Sequence, residues 1–243
     1  MSLLRAQGVM KKFGGLQALA GVDFSVGEEE VIGLVGPNGA GKSTMFNVLT
    51  RFIAHDSGTI TFNGTDISKL RPEQIVAQGM ARTFQHIRIF QNLTVTENVI
   101  VGLRFNGRSR RDIVEEATAL VDFVGLSRMA DSLGERLSYG QQKLVSIARA
   151  LATHPKLLML DEPLSGLSHA VVAEMIEMIR RIRQQKKAVL IIDHNMEAIA
   201  QLSDRVVVMG AGRVVFDGTP TAMLQSETVI SAYIGRPIER NGI

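Results

Sequence analysis

Two kinds of apolar pattern alternate along the chain. Short, nearly unbroken apolar runs at Val31–Val35, Leu157–Asp161 and Ala188–Asp193 read as strands of a covered sheet. Between them, apolar residues recur at helical spacing. Met45, Phe46, Val48, Leu49 and Phe52 mark one helix; Ile113, Ala117, Leu120, Val121 and Val124 mark another, with Gly125 suited to its end. Val172, Met175, Ile176, Ile179 and Ile182 mark a third, and Met196 to Leu202 a fourth.

Shorter signals fill the gaps. Residues 2–10 and 22–26 read as strands around a loop from Lys11 to Ala20. Thr59-Ile60-Thr61-Phe62 alternates and meets the turn signal Asn63-Gly64. Pro72 suits the first turn of a helix to Met80, and Ala81–Phe84 a core strand ended by Gln85. His86 to Leu93 has no clear period. Its apolar groups Ile87, Ile89, Phe90 and Leu93 fit a small satellite core or a partner-facing surface. Thr94-x-x-Glu97 is a capping box opening a helix through Leu103, and a further helix is predicted over Gln141–Ala152. Arg205–Met209 and Val214–Phe216, joined by Gly210-Ala211-Gly212, read as a hairpin, and the tail after Arg236 as loose. Strands alternating with helices predict an α/β fold with a mainly parallel sheet. An antiparallel β part precedes it, and a helical stretch over 85–154 interrupts it.

Composition narrows the picture in three respects. The 45% apolar content supports a sizeable core within 243 residues, enough for one large domain or two small ones. Absence of cysteine excludes disulfides and thiolate metal sites. A net charge of +3 is too small to argue for nucleic acid, and the densest basic group, Arg104, Arg108, Arg110 and Arg111, reads as a solvated loop. No apolar run approaches the length of a membrane span, and the N-terminus lacks the apolar core of a signal peptide. The cytosol is the default expectation for a nucleotide-using enzyme.

The chemistry begins at Gly36-Pro37-Asn38-Gly39-Ala40-Gly41-Lys42-Ser43-Thr44. This stretch fits G-x-x-x-x-G-K-[ST] between a strand and a helix. The glycines let backbone N–H groups curl around phosphate, and the helix start adds its positive dipole end. Lys42 is placed to reach the β- and γ-phosphates, and the Ser43 hydroxyl to bind Mg²⁺. Asp161-Glu162 ends an apolar strand, which sets two carboxylates at the carboxyl edge of the sheet beside that loop. Asp161 suits Mg²⁺ held through water, and Glu162 suits the attacking water. His194 follows another strand and reads equally as structural or as a γ-phosphate donor. Leu137-Ser138-Tyr139-Gly140-Gln141 precedes a helix, as an ordinary N-cap or an anion site. Phe13, next to Gly14-Gly15, reads from its residues alone as core rather than as an exposed ring.

In that order, Gly36–Thr44, Gln85, Leu137–Gln141, Leu157–Glu162 and His194 resemble the ATP-binding subunits of ABC transporters over essentially the whole chain. The resemblance implies one ABC ATPase domain over 1–243, with 1–84 and 155–243 as the P-loop NTPase core and 85–154 as the helical signature subdomain. It implies that Phe13 stacks on adenine, against the core reading. Gln85 becomes the loop glutamine that touches Mg²⁺, Glu162 the catalytic base and His194 the switch histidine. Ser138, Gly140 and Gln141 become the signature that reaches ATP held by a second ATP-binding subunit. Ser165-Gly166-Leu167-Ser168 stands where the inter-subunit loop lies.

Two positions depart from the family pattern: Tyr139 replaces a glycine, and Ser168 an aspartate. Ala81–Phe90 and Tyr139–Gln142 look like the branched-chain amino acid import ATPases. That implies a dimer with a like subunit, integral membrane permease subunits, an indirect link to a substrate-binding protein, and a peripheral location on the cytoplasmic face of the inner or plasma membrane. The rival is a soluble relative acting on ribosomes or nucleic acid. Such proteins usually carry two ATPase units or long coiled-coil insertions, which this chain lacks.

Overall fold

The computed structural model describes residues 2–103 and 108–234. Two sheets carry the chain. In the first, β1 (Ser2–Phe13), β2 (Leu16–Gly27), β4 (Ser57–Phe62) and β5 (Thr65–Asp66) run antiparallel in the order β2-β1-β4-β5. In the second, β10 (Arg213–Gly218), β9 (Arg205–Gly210), β3 (Val31–Val35), β8 (Ala188–Ile192), β7 (Leu157–Asp161) and β6 (Met80–Arg82) lie in the order β10-β9-β3-β8-β7-β6. All neighbours in it are parallel except the β9–β10 hairpin.

The unbroken apolar strands divide their side chains between two cores. Val31, Val35, Leu158, Leu160, Val189, Ile191, Val206 and Val208 face one side. Ile32, Leu34, Leu157, Met159, Leu190, Ile192, Val207 and Met209 face the other. On the second side, α1 (Lys42–Leu49) buries Met45, Phe46, Val48 and Leu49 among residues of the antiparallel sheet. On the first side lie α6 (His169–Gln184), α7 (Met196–Leu202) and the helices between β6 and β7. Those are α3 (Val95–Ile100), α4 (Arg110–Phe123) and α5 (Tyr139–Leu151). The apolar face of α4 joins the same core through Ile113, Ala117 and Val121.

Several boundaries differ from the pattern reading. The stretch Lys11–Ala20 is not a loop. The two strands continue through it and turn at Gly14-Gly15, where Gly14 takes φ +55°. Bulges in β1–β2 pairing break the strict alternation that would have revealed the longer strands. The helix α2 (Pro72–Gln78) stops two residues early, because Gly79 at φ +101° caps it and Met80 enters β6. The strand ends at Arg82 rather than Phe84, and α3 ends at Ile100 rather than Leu103. Two closing helices, α8 (Pro220–Gln225) and α9 (Glu227–Ile234), carried no signal long enough to be read. The tail after Arg236, and Arg104 of the basic group, lie outside the described residues.

Gly33 marks the tightest packing within the sheet. A Cβ there would collide with Ile199 of α7 and approach the Ser203 hydroxyl at 2.9 Å. Overpacking of this kind costs about 1–3 kcal/mol. Gly33→Ala is therefore expected to lower the urea midpoint without changing the slope of unfolding, measured by circular dichroism.

Candidate functional site

The phosphate loop is built from main chain. Gly36 (φ +150°), Gly39 (φ +80°) and Gly41 (φ +104°) turn the backbone between β3 and α1. The N-cap of α1 is Gly41, which has no side chain to bond the first N–H groups. Those donors face outward with the helix dipole, an anion site by construction. The Lys42 ammonium folds over the loop and donates to the carbonyls of Gly36 (2.7 Å) and Pro37 (3.0 Å). Burial pushes its pKa down from the usual lysine value, opposed by the charge of Glu162.

This loop floors a half-open cavity of about 510 Å³. Asn38 through Thr44 line one side, and Phe13, Leu16, Gln17 and Ala18 of the β1–β2 hairpin another. Gln85, Glu162 and Ala211 complete it. Phe13 is 44% exposed, so the core reading of its residues was wrong. The ring sits at the tip of a hairpin that extends past the sheet, and the Lys11 ammonium lies 5.4 Å from its centroid.

Gln85 and Glu162 meet inside the cavity, where the Gln85 amide Nε2 donates to Glu162 Oε2 at 3.1 Å. The backbone of Glu162 is left-handed at φ +50°, and its N–H donates to the Ile192 carbonyl at 2.8 Å. A non-glycine residue there is held against its own preference by its surroundings.

Asp161 is beside this pair in sequence but turned elsewhere. Its carboxylate is buried and accepts from Arg82 Nη2 at 3.0 Å. Burial pushes its pKa up from the usual carboxylate range, and the Arg82 guanidinium restrains that rise. Arg82 also donates to Asn47 Oδ1 (2.8 Å), Thr50 Oγ1 (3.1 Å) and the Thr83 carbonyl (3.2 Å). Phe84 lies 4.6 Å and Phe52 5.4 Å from the guanidinium carbon, measured to the ring centres. Arg82 lies within the motif Ala81–Phe90, but its role depends on partners distant in sequence, Asn47, Thr50 and Asp161. A lone arginine beside Met80 and Ala81 in a buried strand was the available signal.

Other site candidates lie apart. His194 is exposed after β8 and does not line the cavity. Ser138, Gly140 and Gln141 also lie outside the lining. Ser138 caps α5, accepting from the Gln141 N–H (3.4 Å), while Gln141 Oε1 accepts from the Ser138 N–H (2.8 Å). The ordinary N-cap reading thus holds in the geometry, and the turn stays exposed at Ser138 and Tyr139.

The possible metal donors lining the cavity are the Ser43 hydroxyl and the Gln85 amide oxygen, whereas the Asp161 carboxylate, expected as a third, is held by Arg82 outside the lining. Hard oxygen donors suit Mg²⁺, which usually takes one or two protein groups plus substrate phosphates. Among the described residues, no group of three or more His, Cys, Asp or Glu forms a cage.

Comparison with known proteins places this geometry. Residues 19–165 match the family model described as ABC transporter. The LivG protein of Salmonella typhimurium, a high-affinity branched-chain amino acid transport ATP-binding protein, is 36% identical, over 96% of this chain and 98% of its own. BraF of Pseudomonas aeruginosa, described likewise, is also 36% identical over the same shares. The lipopolysaccharide export system ATP-binding protein LptB of Haemophilus influenzae is 35% identical, over 97% of this chain and 98% of its own. A nucleotide-free ATP-binding cassette from an ABC transporter superposes with a TM-score of 0.88 at 32% identity, covering 97% of this chain and all of that one.

Removing Arg82 would leave a buried carboxylate without its partner, which commonly costs about 3–5 kcal/mol. Without the guanidinium, the folded-state pKa of Asp161 rises further above its unfolded value, so the penalty is greatest at neutral pH. It shrinks as pH falls through that raised folded-state value, and vanishes only below the ordinary carboxylate range, where Asp161 is protonated folded and unfolded alike. Chemical denaturation of Arg82→Met and the native chain at pH 7 and pH 5 should show the smaller difference at pH 5.

Proposed function

The chain belongs to the ABC transporter family of ATP-binding proteins, and from that premise we propose that it powers uptake of branched-chain or other hydrophobic amino acids through a membrane permease. ATP binding and hydrolysis follow from membership. The cargo reading is supported by the relatives LivG and BraF, both named for branched-chain amino acid transport. LptB, at 35%, serves lipopolysaccharide export on the same scaffold, so identity alone does not select the cargo. A soluble role on ribosomes or nucleic acid has no support among these relatives.

The observation that carries the ATPase mechanism is the Gln85–Glu162 pair facing the phosphate loop across one cavity. In our reading, Gly36–Thr44 wraps the phosphates and Phe13 offers its exposed ring to the base. Lys42 leaves the loop carbonyls for the β- and γ-phosphates. Glu162 accepts the proton of the attacking water, and Gln85 holds its carboxylate in place until nucleotide arrives. Ser43 and Gln85 would hold Mg²⁺, which when bound offsets the phosphate charge, and Asp161, tied to Arg82, would reach it only through water. His194 stays exposed for the γ-phosphate once the site closes. Ser138, Gly140 and Gln141 reach the ATP of a second subunit, which agrees with their standing outside the chain's own cavity. Hydrolysis removes the group that bridges the two subunits and lets them part.

We assign 85–154 as the signature subdomain and the rest of the chain as the ATPase core of one domain. Where they meet, Phe52, Phe84, Met80 and Arg149 line a largely apolar cavity of about 260 Å³. Phe52 and Phe90 are 51% and 48% exposed, whereas Ile89 is buried. Within His86–Leu93, Ile89 therefore joins the main core on the first side of the parallel sheet, with Ile87 packed against it, and Phe90 is surface. That surface is where the permease would seat the chain against the cytoplasmic face of the membrane. Among the described residues, no helix is long and apolar enough to cross it.

Glu162→Gln should keep ATP bound and lose about 10²–10⁴ in turnover, read by phosphate release, because an amide cannot take the proton. Phe90→Ala should preserve ATP binding yet weaken leucine uptake in vesicles reconstituted with the permease that co-purifies with the chain. Uptake at the native rate would remove Phe90 from the interface.

A further inference from the structure

Lys143 is a buried charge that the mechanism above does not use. It projects from the second turn of α5 and is only 6% exposed. Its ammonium donates to three backbone carbonyls: Glu162 at 2.6 Å, Pro163 at 3.1 Å and Ser165 at 2.7 Å. An ammonium has three protons, so its donors are all engaged. Taking a lysine out of water is costly, and here the whole return goes to one loop. That loop begins at the left-handed Glu162 and runs into Ser165-Gly166-Leu167-Ser168.

The same end of α5 touches the loop in two further places. The Tyr139 ring lies 5.2 Å from the Lys143 ammonium. A Cβ on Gly166 would lie 3.3 Å from that ring, and one on Gly140 would meet Val171 and Leu167 at 3.3 and 3.5 Å. The signature turn and the loop after Glu162 are thus packed as one body.

We propose that Lys143 is a positioning residue that couples the signature turn to Glu162 and the inter-subunit loop of the same subunit. The proposal rests on the roles assigned above to Ser138, Gly140 and Glu162. A shift of α5, when its turn engages the ATP of the partner subunit, is carried by the ammonium to the carbonyls of Glu162, Pro163 and Ser165. The state of one ATP site therefore sets the aim of the base in the other. The two departures from the family pattern fall into place: Tyr139 packs over the clamp, and a loop held through its carbonyls does not depend on an aspartate at 168.

The test is steady-state ATP hydrolysis by the full chain and its K143M and K143R variants, with binding of a fluorescent ATP analogue titrated separately. K143M should lose about tenfold or more in kcat, as expected when a reacting group is misaimed. Its affinity for the analogue should stay within twofold, and its Hill coefficient for ATP should fall toward one. K143R, which keeps donors on the carbonyls, should recover most of the rate. A K143M rate within twofold of native overturns the coupling. So does a loss of rate and binding together that K143R does not repair.

Hydrogen exchange on the E162Q chain gives a reading that does not require K143M to fold. ATP should protect the amides of 138–141 and 165–168 in concert, and protection of one stretch without the other overturns the proposal. The assignment of Glu162 fails separately, if E162Q turns over at the native rate. The coupling alone fails if E162Q is inactive and K143M is unimpaired.

Discussion

Backbone meets backbone at the phosphate loop, and the rest of the molecule is arranged so that it can. A Cβ at Gly36 would collide with the Met209 carbonyl, and one at Gly41 would lie 2.6 Å from the Ala18 carbonyl. The Gly212 N–H donates to the Ala40 carbonyl at 3.0 Å, and the Ala20 N–H to the Gly212 carbonyl at 2.8 Å. Three segments from different parts of the chain, 18–20, 36–41 and 209–212, therefore interlock through main-chain contacts. The antiparallel sheet is pinned to the parallel one at this point. That pinning is what sets the hairpin tip with Phe13 on the same cavity as the loop.

Two buried cations then govern two consecutive acids. Arg82 binds the side chain of Asp161, and Lys143 binds the main chain of Glu162. One stands just before the helical insertion and the other near its far end. The insertion is thus wired to the end of β7 at both of its junctions. Arg82 also contacts Phe52 and Phe84, which line the apolar cavity where the helical insertion meets the rest of the chain. Lys143 lies under the turn we assign to the partner subunit. Each acid answers to a different neighbour.

Much of this was legible in the residues because it depends on local pattern. The phosphate loop, the acid pair and the capped helix at Ser138 have spacing set by chemistry, and the buried strands have periods set by a covered sheet. The family resemblance was carried by the same stretches, and it corrected Phe13, whose exposure depends on how far a bulged hairpin extends. Arg82 and Lys143 stayed silent for a physical reason. Each is a charged side chain at a position whose neighbours face the core, and its partners are 79 and 19–22 residues away. Sequence spacing encodes neither contact. The short helices after Thr219 were missed because six to eight residues give too few turns for a period to show.

Glu162 is where folding and chemistry want different residues. The left-handed backbone at φ +50° suits glycine or asparagine, and holding another residue there costs about 1–2 kcal/mol. The carboxylate is kept against that preference. A population of variants selected only for resistance to heat would drift at this position toward glycine and lose the carboxylate to which we assign the role of base. The same exchange is open at Lys186 and Ala211, where the backbone is also left-handed, but in our reading only at Glu162 does the gain in stability cost turnover.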